Sequence, residues 1–138
     1  MAILGGAGNP VGGSFTGPAE ALDIYGDFAA AYSGLVAVSS SGLDMISFTS
    51  GNYLFVGTIQ GIYPSDDADD MTWELFFNGV VVQKWFNAGA TGVANQLRQP
   101  PNPLEILIPA YTEVVLKCTA TGSTQDMIAS IVGRIYRE

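Results

Sequence analysis

Met71 to Phe86 reads MTWELFFNGVVVQKWF. Two apolar runs rich in aromatic and β-branched residues flank Asn78-Gly79, the dipeptide that most readily supplies the two positive φ angles of a type I′ turn. The stretch is therefore expected to form a β-hairpin. A two-residue loop sets the register, pairing Phe77 with Val80, Leu75 with Val82 and Trp73 with Lys84. Alternation across the pleat gathers Met71, Trp73, Leu75, Phe77, Val80, Val82, Lys84 and Phe86 on one face. Thr72, Glu74, Phe76, Val81, Gln83 and Trp85 share the other. The first is the expected core face. Its exception is Lys84, whose methylenes can lie along Trp73 while the ammonium reaches water. The second face is too apolar to be left wholly in solvent and is expected to meet a partner.

Outward from the hairpin, 138 residues make one domain, long enough to bury about two-thirds of the unfolded surface. Only 13% of residues are charged and 48% are hydrophobic, which favours an assembled state over an isolated monomer. The net charge of −8 repels phosphate backbones and anionic lipid, so neither nucleic acid nor a membrane surface is an expected partner. The single cysteine, Cys118, sits in an alternating stretch and reads as a small buried hydrophobe. No apolar run is long enough to cross a bilayer as a helix. MAILGGAGNPVGG lacks the basic start of a secretory signal and breaks into glycine and proline.

Residues 1–17 hold six glycines and no hydrophobic period, and are expected to be a flexible or extended arm ahead of a single domain over residues 18–138. Ala19 to Tyr25 could form one helical turn. Phe28 to Ser40 reads as a long strand, Met45 to Thr49 as a short one, and Tyr53 to Tyr63 as a second long one. In the last, Gly57 and Gly61 suggest a bulge or a bend where a ring packs across the strand. Pro64 to Asp70 is a dense acidic run, and Ala88 to Pro103 a long connection without period. Leu104 to Ile108, Tyr111 to Ala120 and Asp126 to Tyr136 complete about eight strands. The expected fold is all-β: an antiparallel two-sheet sandwich, with a jelly roll preferred because the long connection suits a Greek-key link, and an immunoglobulin-like sandwich second.

The chain has no histidine, which removes Ser-His-Asp and Cys-His catalysis. GGAGNPVGG opens no helix after a strand and is no phosphate loop. Asp66, Asp67, Asp69 and Asp70 could offer oxygen ligands to calcium, although their spacing fits no EF-hand and a solvated acidic turn is the simpler assignment; no metal or cofactor is expected. The remaining catalytic option is a carboxylate pair, Glu74 with Glu105 or Glu113, for which surface acids are again the simpler assignment. Phe76, Trp85 and Tyr136 could stack on sugar rings, but a strand face shared with Val81 favours a subunit interface, with Phe76, Val81, Trp85 and Tyr136 as its expected residues.

At the C-terminus, IPAYTEVVLKCTATG (residues 108–122) precedes DMIASIVGRIYRE (residues 126–138). A proline-initiated strand, a short polar turn and a final strand ending in a Gly-Arg-aromatic run resemble the small all-β virion proteins of tailed bacteriophages. The resemblance covers about the last 35 residues. It implies a capsid decoration or cement protein with a jelly-roll core, often trimeric, outside an icosahedral shell. The expected partners are further copies of the chain and a major capsid protein, and the expected location is the capsid surface. A carbohydrate-binding or host-adhesion module is the alternative.

Overall fold

The computed structural model describes residues 2–5, 17–62, 71–87, 103–122 and 124–137. Within them the chain is all-β, with eleven strands and no helix. They are β1 (Ala2–Gly5), β2 (Ala21–Tyr25), β3 (Phe28–Tyr32), β4 (Val36–Val38), β5 (Leu43–Thr49), β6 (Tyr53–Ile62), β7 (Met71–Phe77), β8 (Val80–Asn87), β9 (Leu104–Ile108), β10 (Glu113–Ala120) and β11 (Gln125–Arg137). Two antiparallel sheets form a sandwich. The larger runs β1-β2-β3-β11-β6-β9, with β4 also paired to β11, and the smaller runs β5-β10-β7-β8. From β4 onward the chain passes back and forth between them, so that most strand pairings are distant in sequence.

The core lies between the sheets and follows the period-two pattern of the strands. Phe55 and Ile59 of β6, Met71, Trp73 and Leu75 of β7, Val114, Leu116 and Cys118 of β10, and Met127, Ala129 and Ile131 of β11 are all buried. The glycine positions of β6 are where rings cross the sheets. A methyl group added at Gly61 would stand 2.5 Å from Trp73 Cε2, so the indole of one sheet rests directly on the backbone of the other. Phe55 likewise covers Gly57 and its register partner Gly133.

The hairpin turn is as expected, with Asn78 at φ 51° and Gly79 at φ 82°. It is also tied down: Asn78 N–H donates to the Glu113 carbonyl and Glu113 N–H donates to Asn78 Oδ1, both at 2.8 Å. The register beyond the turn differs from the expected one. Phe77 pairs with Val80 and Phe76 with Val81, but a bulge then intervenes, and Leu75 pairs with Gln83, Glu74 with Lys84 and Trp73 with Trp85. The extra residue, Val82, exchanges the faces of everything after it. Trp85 turns inward and stacks on Trp73, ring centroids 5.9 Å apart and planes 8° from parallel. Lys84 turns outward. An unbulged hairpin would point the ammonium at the core and a tryptophan at water, and one inserted residue removes both costs. The expectation that Val80, Val82, Lys84 and Phe86 line the core is corrected: all four are exposed, Val82 as the bulged residue and Lys84 and Phe86 because the bulge reverses their faces, while Val80 keeps its expected partner Phe77 beside the turn.

Two further expectations are corrected. Ala19 to Tyr25 forms no helical turn. Ala19 bridges the edge of β5, where its N–H donates to the Met45 carbonyl and its carbonyl accepts from Ser47 N–H, and the chain then enters the larger sheet as β2. Phe28 to Ser40 is two strands rather than one. Ser33 is buried, and its Oγ takes the Ala129 N–H at 2.8 Å, a bond that a continuing strand would have made with backbone. Of the expected arm, Ala2–Gly5 pairs with β2 of the same chain. The rest of the arm, the acidic run and the connection 88–102 lie outside the described residues.

The bulge has a measurable consequence. Trp85→Ala should lower the unfolding free energy by about 2–3 kcal/mol, while Phe86→Ala should change it by less than about 0.5 kcal/mol. Urea denaturation of the two variants distinguishes this register from the unbulged one, which gives the opposite ranking.

Candidate assembly surfaces

With the core filled by alternate residues, the remaining ones form two outward faces, and strand register arranges each into rows. On the larger sheet one row crosses five strands: Tyr25, Phe28, Arg134, Val56 and Leu107 are successive partners on β2, β3, β11, β6 and β9. All five are exposed, Phe28 by 58% and Leu107 by 56%. Tyr136 stands beside the row on β11. The Arg134 guanidinium lies 5.5 Å from the Phe28 ring centroid and 5.8 Å from that of Tyr136, and pairs with Asp27 at 3.5 Å. One cation thus holds two rings in place by their electron-rich faces.

On the smaller sheet the rows are of two kinds. Ser47, Val115, Phe76 and Val81 are partners across β5, β10, β7 and β8, and Thr119, Thr72 and Phe86 form a parallel row on the last three. Between them lies a charged row in the same strand order: Asp44, Lys117, Glu74, Lys84. A second bulge, between Leu116 and Lys117 in the β10–β5 ladder, brings Asp44 into that row. Lys84 Nζ sits 5.8 Å from the Phe86 ring centroid.

The four expected interface residues do not converge. Phe76 and Val81 are adjacent on the outer face of the smaller sheet, Tyr136 is on the outer face of the larger, and Trp85 is half-buried and packs inward against the core. The residues that sequence reasoning missed are Phe28, Leu107 and Arg134. Alternation along each strand is a signal that they face outward, but only the pairing of distant strands makes a row of them.

The candidate carboxylates do not converge either. Glu74 and Glu105 lie on outer faces of different sheets. Glu113 shares a face with Glu74, but it stands four residues along β10 from Glu74's partner Lys117. That is about 13 Å of strand, beyond the ~5–9.5 Å of a glycosidase pair. Asp66, Asp67, Asp69 and Asp70 lie outside the described residues, and among the described residues no group of three potential metal ligands occurs. Cys118 is fully buried, and burial pushes its thiol up to about 12, which keeps it protonated and unreactive. No protein-family model matches the chain, and no curated protein sequence is detectably similar to it.

Asp23 is the anomaly of the larger sheet. It is buried on β2, where its register partners are Ile3 and Ala30, and among the described residues its Oδ1 has no hydrogen-bond partner. Burial raises its pKa above the ordinary 3.8, so the folded state holds this proton more tightly than the unfolded chain does. Stability from this group is complete below the ordinary carboxyl value and is lost as pH rises through the raised one. Asp23→Asn should therefore melt about 3 °C above the parent near pH 7, with the difference closing at about pH 3. Thermal melts across that range check it, and a gap independent of pH would contradict it.

Proposed function

We propose that this protein is a non-enzymatic virion structural protein, a jelly-roll capsid decoration or cement protein that binds the outer surface of an icosahedral capsid and stabilises it. The observation that carries this reading is the aromatic and aliphatic row Tyr25, Phe28, Arg134, Val56 and Leu107. It lies across five hydrogen-bonded strands, so the surface is extended and rigid, suited to docking on another protein surface rather than to enclosing a small ligand. Strand order supports it: β3-β11-β6-β9 faces β5-β10-β7-β8, the order that two Greek keys give, in an architecture common among viral capsid domains and lectins. The resemblance of residues 108–138 to phage virion proteins points the same way. The separation of Glu74, Glu105 and Glu113 gives paired-carboxylate chemistry no support.

The alternative, a carbohydrate-binding or host-adhesion module, draws on the same rings, since lectins share the architecture. Against it, the Arg134 guanidinium lies over the Phe28 and Tyr136 faces on which a sugar would stack.

Co-sedimentation of the purified chain with shells of the major capsid protein tests the proposal. The wild type should pellet with the shells, and Phe28→Asp combined with Leu107→Asp should lower binding by at least about tenfold without changing the melting temperature. Absence of wild-type binding, or undiminished binding of the variant, would overturn it.

A further inference from the structure

We propose that the outer face of the smaller sheet binds a second copy of this chain, about a two-fold axis parallel to the strands and passing between β10 and β7. The inference goes beyond the capsid reading and does not depend on it. Its basis is the sign order of the charged row. From β5 to β8 the row runs acid, base, acid, base as Asp44, Lys117, Glu74 and Lys84. A half-turn about an axis along the strands reverses that order, so each charge meets its opposite. Asp44 faces Lys84 of the partner subunit, and Lys117 faces Glu74 of the partner subunit. An axis across the strands would instead set like charge on like. The row thus selects one symmetry, and a contact of this kind is isologous and closes at two copies.

The rest of the face obeys the same operation. A rotation about the strand direction leaves each row at its own height, so the apolar row meets itself reversed. Val115 then faces Phe76 of the partner subunit, and Val81 faces Ser47 of the partner subunit. The strands of the two copies run aligned, as in face-to-face sheet packing. Net charge favours the same contact. The chain carries a net charge of −8, and copies meeting at random surfaces repel. The row is neutral, and it holds both lysines of the chain, Lys84 and Lys117. Among the described residues none of its four charges enters an ion pair, the pair present being Arg134 with Asp27. The charges are placed to be paired from outside.

Sedimentation equilibrium of the full chain at low salt tests this by charge exchange. The wild type should self-associate. Lys117→Glu and Glu74→Lys should each weaken association by at least about tenfold, because each places like charges opposite one another twice per dimer. The double variant restores opposite signs across the axis and should recover to within about threefold of the wild type. Thermal melts verify that each variant folds; if a central exchange does not, Asp44→Lys with Lys84→Glu makes the same test on the outer strands. A wild type that stays monomeric at millimolar concentration, single exchanges without effect, or a folded double variant as weak as the singles would each overturn the proposal. The outcome is separable from the capsid reading. A chain that dimerises in this pattern but never joins a particle keeps this inference alone, and one that joins particles while ignoring the exchanges keeps the other alone.

Discussion

Trp73 lies fully buried on β7 with its indole against the backbone of Gly61 on the facing sheet, and most of the sandwich is arranged so that this contact can be made. A buried indole removes about 200 Å² from water, worth on the order of 5 kcal/mol. It reaches the opposite sheet only where no Cβ intervenes, which Gly61 provides, with the small Ala129 as its register neighbour. The stacked Trp85 completes the enclosure from the next strand, and its inward turn requires the bulge at Val82. That bulge in turn sends Lys84 outward and supplies the last charge of the outer row. A single packing decision in the core therefore determines what the surface presents.

The parts of this fold legible in sequence are those fixed by neighbours along the chain. Asn78-Gly79 specifies its turn through backbone conformation alone, and alternation in β6, β10 and β11 sorts inward from outward residues without knowledge of partners. The ring over Gly61 was also signalled, because glycine inside an apolar strand has few other uses. The hairpin register was not legible, since a two-residue turn is compatible with a bulge three residues beyond it, and the stacking of Trp85 on Trp73 makes the choice. The division of Phe28 to Ser40 depends on one buried hydroxyl, Ser33, and on an N–H nearly a hundred positions away. Ala19 to Tyr25 has the composition of a helical turn, but edge hydrogen bonds to Met45 and Ser47 override so weak a preference.

The candidate surfaces show the same division more sharply. Val56, Leu107 and Arg134 come from three separate strands, and nothing local indicates that they are successive partners in one row. The charged row is less legible still, because two bulges are needed to align it: one delivers Lys84 and the other Asp44. Sequence reasoning placed Phe76 and Val81 together correctly and added Trp85 and Tyr136 to them, although one belongs to the core and the other to the opposite face. The resulting molecule has a filled interior, one broad aromatic and aliphatic face held by Arg134, and one face of alternating charge. The two outer faces therefore differ in chemistry, one apolar and aromatic and the other charged.

The dependence on the Trp73–Gly61 contact is tested most directly by a double-mutant cycle in urea, combining Gly61→Ala with Trp73→Leu. If the indole rests on the glycine, the added methyl should destabilise the parent by about 2 kcal/mol but cost far less once the ring is gone, giving a coupling of at least about 1 kcal/mol. Additive effects within about 0.3 kcal/mol would show that the two residues do not touch, and would contradict the arrangement of the two sheets described here.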